Sequence, residues 1–135
     1  MKRLLCLAAL AASPVTADPA IILTPDTTQD LQTTPEGVAF APLSGDREAE
    51  AYFAMVRLPA GTISPAHTKS ATMYRLLVEG EMTHAAPATD AATIGPGADY
   101  EVPADLPHMS ACVSATLCLR LLYQDGPFDF VPVTP

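Results

Sequence analysis

Lysine is nearly missing from this 135-residue sequence, which holds only Lys2 and Lys69. All Lys and Arg together number 7 against 15 Asp and Glu, for a formal charge of −8 and a pI near 4.5. A chain so poor in cations has no basic stripe to displace counterions from phosphates, which excludes a nucleic-acid partner and disfavours adhesion to anionic membrane surfaces. Long apolar runs are missing too. The run Leu4–Ala12 is nine residues, about half of the ~20 that a membrane-spanning helix needs. Aromatic residues make up only 6%. The sequence carries no G-x-S-x-G, H-E-x-x-H, C-x-x-C or phosphate-binding loop, and no internal repeat or low-complexity block. What is present is apolar: 49% of residues, with mean hydropathy +0.22, enough for a packed core in one domain.

The N-terminus has the pattern of a bacterial signal peptide. Lys2 and Arg3 precede the apolar run, and Val15-Thr16-Ala17 supplies small residues before Asp18. Cys6 does not make it a lipoprotein leader, because Leu5 stands where a small residue is needed and the apolar run follows the cysteine. The expectation is a leader over residues 1–17, export to the periplasm or medium, and a single domain over 18–135. Removing the leader leaves five basic residues against fifteen acidic ones, a charge of −10. After cleavage nothing ties the chain to a membrane.

Prolines number 14 and are spread along the chain, which argues against long helices and for short strands with frequent turns. Strands are predicted at 20–24, 38–41, 51–58, 74–79, 81–84, 99–102, 108–113, 117–124 and 128–133, with an exposed N-terminal arm over 18–37. Only 29–32 and 46–51 suit a helical turn. Many short strands about ten residues apart read as an all-β sandwich or barrel.

From Gly61 the spacing becomes specific. His67 follows after five residues, Lys69 after one more, Met73 after three and Gly80 after six; downstream, Gly97 precedes Pro103 by five residues, and Asp105, His108 and Cys112 follow. This resembles the two motifs of the cupin superfamily, G-x5-H-x-H-x3-E-x6-G and G-x5-P-x-G-x2-H-x3-N. The phrases LPAGTISPAH, YRLLVEGEM and VPADLPHM are similar to those of small exported bacterial cupins, and the resemblance spans residues 52–123. It implies a double-stranded β-helix, a jelly-roll barrel with a ligand site in one mouth. It also implies that His67 and His108 stand where two metal-binding histidines belong.

The departures from those motifs are chemical. Lys69 replaces a histidine, Met73 the glutamate, Asp105 a glycine and Cys112 the final asparagine. A lysine ammonium has donors only, and a thioether suits Cu(I) rather than Fe, Mn or Zn. Strand alternation offers substitutes: an inward Met73 brings Arg75 and Leu77 to its face, and an inward Met82 brings His84. Two arrangements therefore stand open. In one, His67, His84 and His108 with Met73 hold a transition metal, copper fitting best. In the other there is no metal, and His67, Lys69, Met73, Arg75 and His108 form a pocket for a small polar or anionic molecule, with Glu101 or Asp99 as the alternative partners of Arg75. Surface placement is the plain alternative for His84 and for a solvated Lys69.

Cys112 and Cys118 flank a five-residue segment. If it is a hairpin loop, the two face each other at disulfide distance; a thiolate metal pair and two separate buried thiols are the alternatives. The functional expectations are a binding protein for a small ligand with an eroded metal centre, a metal-dependent lyase, isomerase or dioxygenase-like enzyme with Lys69 or Tyr74 as proton carrier, or a periplasmic Cu(I) binder. A homodimer is compatible with each.

Overall fold

A computed structural model describes residues 31–86 and 89–133. The leader expected over 1–17 and the strand expected at 20–24 lie outside the described residues. The remainder is all-β, with no helix among the described residues. Eleven strands run in order: β1 Gln32–Thr33, β2 Ala39–Ser44, β3 Tyr52–Leu58, β4 Ile63–Thr68, β5 Met73–Glu79, β6 Met82–Ala86, β7 Thr89–Ile94, β8 Asp99–Val102, β9 His108–Cys112, β10 Cys118–Gln124 and β11 Val131–Pro132. They form two antiparallel sheets, one of six strands in the order β1-β2-β3-β10-β5-β8 and one of five in the order β11-β4-β9-β6-β7. Consecutive strands repeatedly belong to different sheets, as a jelly roll requires.

Period-two alternation decides which side chains face inward. Along β3, Tyr52, Ala54, Val56 and Leu58 are buried; along β5, Met73, Arg75 and Leu77; along β10, Cys118, Arg120, Leu122 and Gln124. From the smaller sheet, Met82, His108, Ser110 and Cys112 point to the same interior. One end of that interior is an apolar core built around Val56, Leu77 and Met82. The other half carries most of the polar and charged groups.

The strand forecast differs from the structure in three places. β4 was unforeseen because Pro65 sits inside it; the proline falls where the β4–β9 register shifts between Ser64 and His67, a bulge where no ladder N–H is needed. β7 was unforeseen because it is an edge strand paired only with β6 and mostly exposed, so burial imposes no apolar pattern on it. The arm over 18–37 contributes β1, so Gln32 is in a strand rather than the helical turn expected at 29–32. The turn expected at 46–51 is present as a single turn, in which Ala49 and Glu50 N–H groups donate to the Asp46 carbonyl and Glu48 N–H to Asp46 Oδ1.

Cys112 and Cys118 are joined by a disulfide with 5.8 Å between Cα atoms. They do not face each other across a hairpin. β9 belongs to the five-stranded sheet and β10 to the six-stranded one, so the segment 113–117 crosses between sheets and the bridge staples them together. Next to it Gly80, at φ +84°, turns β5 into β6; a Cβ there would come within 2.8 Å of the Cys118 sulfur and the Ser114 hydroxyl.

Candidate functional site

The polar half of the interior opens into a cavity of about 450 Å³. Its floor comes from the inner faces of β5 and β10, which contribute Met73, Arg75, Arg120, Leu122 and Gln124. His67 from β4 and Ser110 from β9 face them, and the segments 34–38, 62–65 and 128–130 close the sides. Lys69 lies one residue past β4 and shares the inward parity of His67. At 4% exposure it is buried, neither a solvated loop residue nor a rim group.

Beyond residue 17 the chain has only five Lys and Arg: Arg47, Arg57, Lys69, Arg75 and Arg120. Three of these five line this one cavity, each no more than 6% exposed. Among the described residues none of the three has an acidic group within ion-pair distance, and Lys69 Nζ, Arg75 Nε and Arg120 Nε have no hydrogen-bond partner. Arg75 donates through Nη2 to the Met73 thioether at 2.8 Å, a weak acceptor, and Arg120 through Nη1 to the Tyr100 hydroxyl at 3.4 Å. Glu101 and Asp99 are not partners of Arg75: alternation along β8 turns Tyr100 and Val102 inward and leaves both acids exposed. Among the described residues the only carboxylate lining the cavity is that of Glu36, which is exposed.

Crowded cations shift their own equilibria. Burial pulls Lys69 down to about 7, helped by the charges of Arg75, Arg120 and Arg47 and opposed by Asp129. The Asp129 carboxylate is held by its own contact, Oδ2 accepting from Ser70 N–H at 2.9 Å. Lys69 Nζ instead sits 3.7 Å from the centroid of the Phe128 ring and 5.3 Å from that of Phe130. Aromatic faces offer an ammonium only part of what a carboxylate would. Arg75 is lowered to about 10 by burial and by Arg120, and so remains a cation at neutral pH. Burial acts to raise the Tyr100 phenol, but the charges and hydrogen bonds of Arg120 and Arg75 outweigh it and hold the phenol below its ordinary value.

All three histidines are neutral. His67 Nδ1–H donates to the Pro65 carbonyl at 2.6 Å and His108 Nδ1–H to the Leu106 carbonyl at 2.9 Å, which leaves Nε2 of each without a proton. The two rings are 4.2 Å apart, and His67 also stacks on Phe130 at 4.1 Å. Burial lowers His67 to about 4 and lowers His108 as well. His84 is half-buried against Tyr100 at 4.2 Å and is pushed down to about 3 by burial and by Arg75 and Arg120. Of the three, only His67 lines the cavity; His108 lies behind it, and His84 faces Tyr100.

The residues present do not fit the metal that the motif resemblance implies. No group of three His, Cys, Asp or Glu among the described residues could hold one. Met73 already accepts a hydrogen bond from Arg75, and any cation placed near His67 would meet the charges of Lys69 and Arg75. Of the expected set, His67 and His108 come together, but His84 turns to Tyr100 and Met73 to Arg75, so the four do not form a metal-holding group. Sequence reasoning placed Lys69 and Arg75 in the pocket but overlooked Arg120, Phe128 and Phe130. Alternation from Cys118 reaches Arg120 in one two-residue step, a signal that was legible; nothing local marks the two phenylalanines, which the chain brings back after β10.

No protein-family model and no curated protein matches this sequence. Solved structures do match in fold. An RmlC-like cupin from Shewanella frigidimarina shares 14% identity and a TM-score of 0.64, covering 78% of this chain and 92% of that one. The polyketide cyclase RemF from Streptomyces resistomycificus shares 15% identity and a TM-score of 0.68, covering 86% and 87%. An RmlC-like cupin family protein with a double-stranded β-helix fold from Methanocaldococcus jannaschii shares 13% identity and a TM-score of 0.57, covering 73% and 90%.

Proposed function

We propose that this chain, which has the cupin fold, is an exported binding protein that holds a small anionic molecule in its barrel, at a site where the metal-binding positions of the cupin motifs have been given to other chemistry. The observation that carries the reading is the concentration of Lys69, Arg75 and Arg120 around one cavity in an acidic chain, buried and without acidic partners. An unpaired buried charge is costly, because water solvated it in the unfolded chain and nothing of opposite sign replaces that water. Groups held at such cost beside an open cavity mark a binding site. A ligand oxyanion supplies the missing counter-charge, and each charge-assisted hydrogen bond to it contributes about 1.5–3 kcal/mol. Export is supported by the leader-like residues 1–17, and the Cys112–Cys118 bridge is compatible with an oxidising compartment.

A thermal-shift screen of small carboxylates and phosphates tests this. A stabiliser is expected, and Arg75→Ala and Lys69→Ala are expected to remove most of the shift. A hit whose shift survives both substitutions, or the absence of any anionic stabiliser, would refute the reading.

A further inference from the structure

Two of the cavity's three charges come from the middle of one sheet, and part of its apolar surface comes from segments at the edges; that arrangement describes the occupant. Arg75 and Arg120 sit on β5 and β10, adjacent strands in the interior of the six-stranded sheet. In register Arg120 lies opposite Leu77, two residues along from Arg75 on the same inward face, so the guanidinium groups are diagonal neighbours. They can share one oxyanion. The apolar lining is shared more widely: Met73 and Leu122 stand on the same two strands, while Val38, Ile63, Phe128 and Phe130 come from segments at the edges, with Lys69 against Phe128.

Size makes the same point. A water molecule occupies ~30 Å³ of liquid, so a cavity of about 450 Å³ is far larger than acetate or inorganic phosphate needs. An ion of that kind would satisfy the arginines and leave the ring-lined half filled with water against apolar walls. Cavities of this volume with mostly apolar walls and a few convergent polar groups suit organic molecules. Resting on the anion-binding reading above, we infer that the occupant is an amphipathic organic acid, with one carboxylate or phosphate head on Arg75 and Arg120 and an apolar, ring-sized body toward Val38, Ile63, Phe128 and Phe130. Head and body are recognised by residues that meet only in the folded barrel, which is why no short motif encodes the specificity.

Calorimetric titration of residues 18–135 at pH 8 with phenylacetate, phenyl phosphate, acetate, inorganic phosphate and 2-phenylethanol tests the inference. Phenylacetate or phenyl phosphate is expected to bind at least about 100-fold more tightly than the matching bare ion, since burying a six-carbon body is worth more than two decades. The tighter of the two identifies the head. Arg120→Met is expected to abolish that binding and Arg120→Lys to keep part of it. Phe130→Ala is expected to narrow the preference of the phenyl acid over the bare ion. Acetate or phosphate binding as tightly as its phenyl counterpart, in an Arg120-dependent way, would overturn this inference and leave the anion-binding reading standing. Binding of 2-phenylethanol as tight as that of phenylacetate would overturn both, as would no binding by any of the five.

Discussion

Asp105 has φ +60°, a left-handed backbone conformation that costs an ordinary L-residue about 1–2 kcal/mol and an aspartate somewhat less. It stands where the cupin motif has glycine, and the turn keeps the glycine geometry although the residue has changed. Its N–H donates to the Lys69 carbonyl at 2.8 Å, so this turn buttresses the segment that carries the lysine. Asp105→Gly is expected to stabilise the fold by up to ~1 kcal/mol, partly offset by the greater freedom of glycine in the unfolded chain; urea denaturation reads the change, and a loss of stability would contradict the strain argument. Residue by residue, the motif spacing was enough to bring His67, Lys69, Met73 and Arg75 to the interior. It could not say that Met73 accepts from Arg75, that His108 lies behind His67, or that His84 faces Tyr100. Those outcomes depend on which strands face one another across the barrel, and that is a long-range property.

The disulfide shows the same limit at the scale of elements. Spacing alone suggested a bridge, correctly, but across a hairpin; β9 and β10 are consecutive in sequence and sit in opposite sheets. The bridge therefore ties the two sheets where Cys118 lies opposite Leu58 and Cys112 opposite Met82. β3, β5 and β10 were legible as short, largely apolar runs between turn signals, although polarity does not alternate cleanly along them, since Arg75, Arg120 and Gln124 are buried while Leu76 and Val78 are exposed. β4 and β7 were not, since a bulge proline and an edge position leave no such run. Reducing the Cys112–Cys118 bridge is expected to cost about 2–3 kcal/mol, the loop-closure value for so short a segment. Denaturation with and without reductant measures it. Two alkylatable thiols in the native, unreduced protein would rule the bridge out.

Taken as a whole, the molecule is acidic outside and cationic at one point inside, and this polarity governs its response to pH. His67 and His84 are lowered in the fold to about 4 and about 3, below the ordinary histidine value of about 6.5. As pH falls below that value the unfolded chain takes up protons that the folded chain refuses, so stability drops with acidification and keeps dropping until about pH 4 to 3. Lys69 acts on the alkaline side. Its folded value of about 7 lies below the unfolded one, so between pH 7 and about 10 the unfolded chain binds more protons and the stability of the ligand-free protein rises with pH. Melting temperature against pH should show that rise, by a few degrees, and Lys69→Met should flatten it. The central claim is that the buried cations are held at the expense of stability for the sake of an anion. The melting temperature of Arg120→Met against wild type, each with and without phenylacetate, tests it most directly. Replacing an unpaired buried charge by an apolar side chain of similar length is expected to stabilise the ligand-free protein by about 1–4 kcal/mol, roughly 4 °C or more in Tm, and to erase the shift that the acid gives wild type. A variant that melts below ligand-free wild type and still responds fully to the acid would contradict the account.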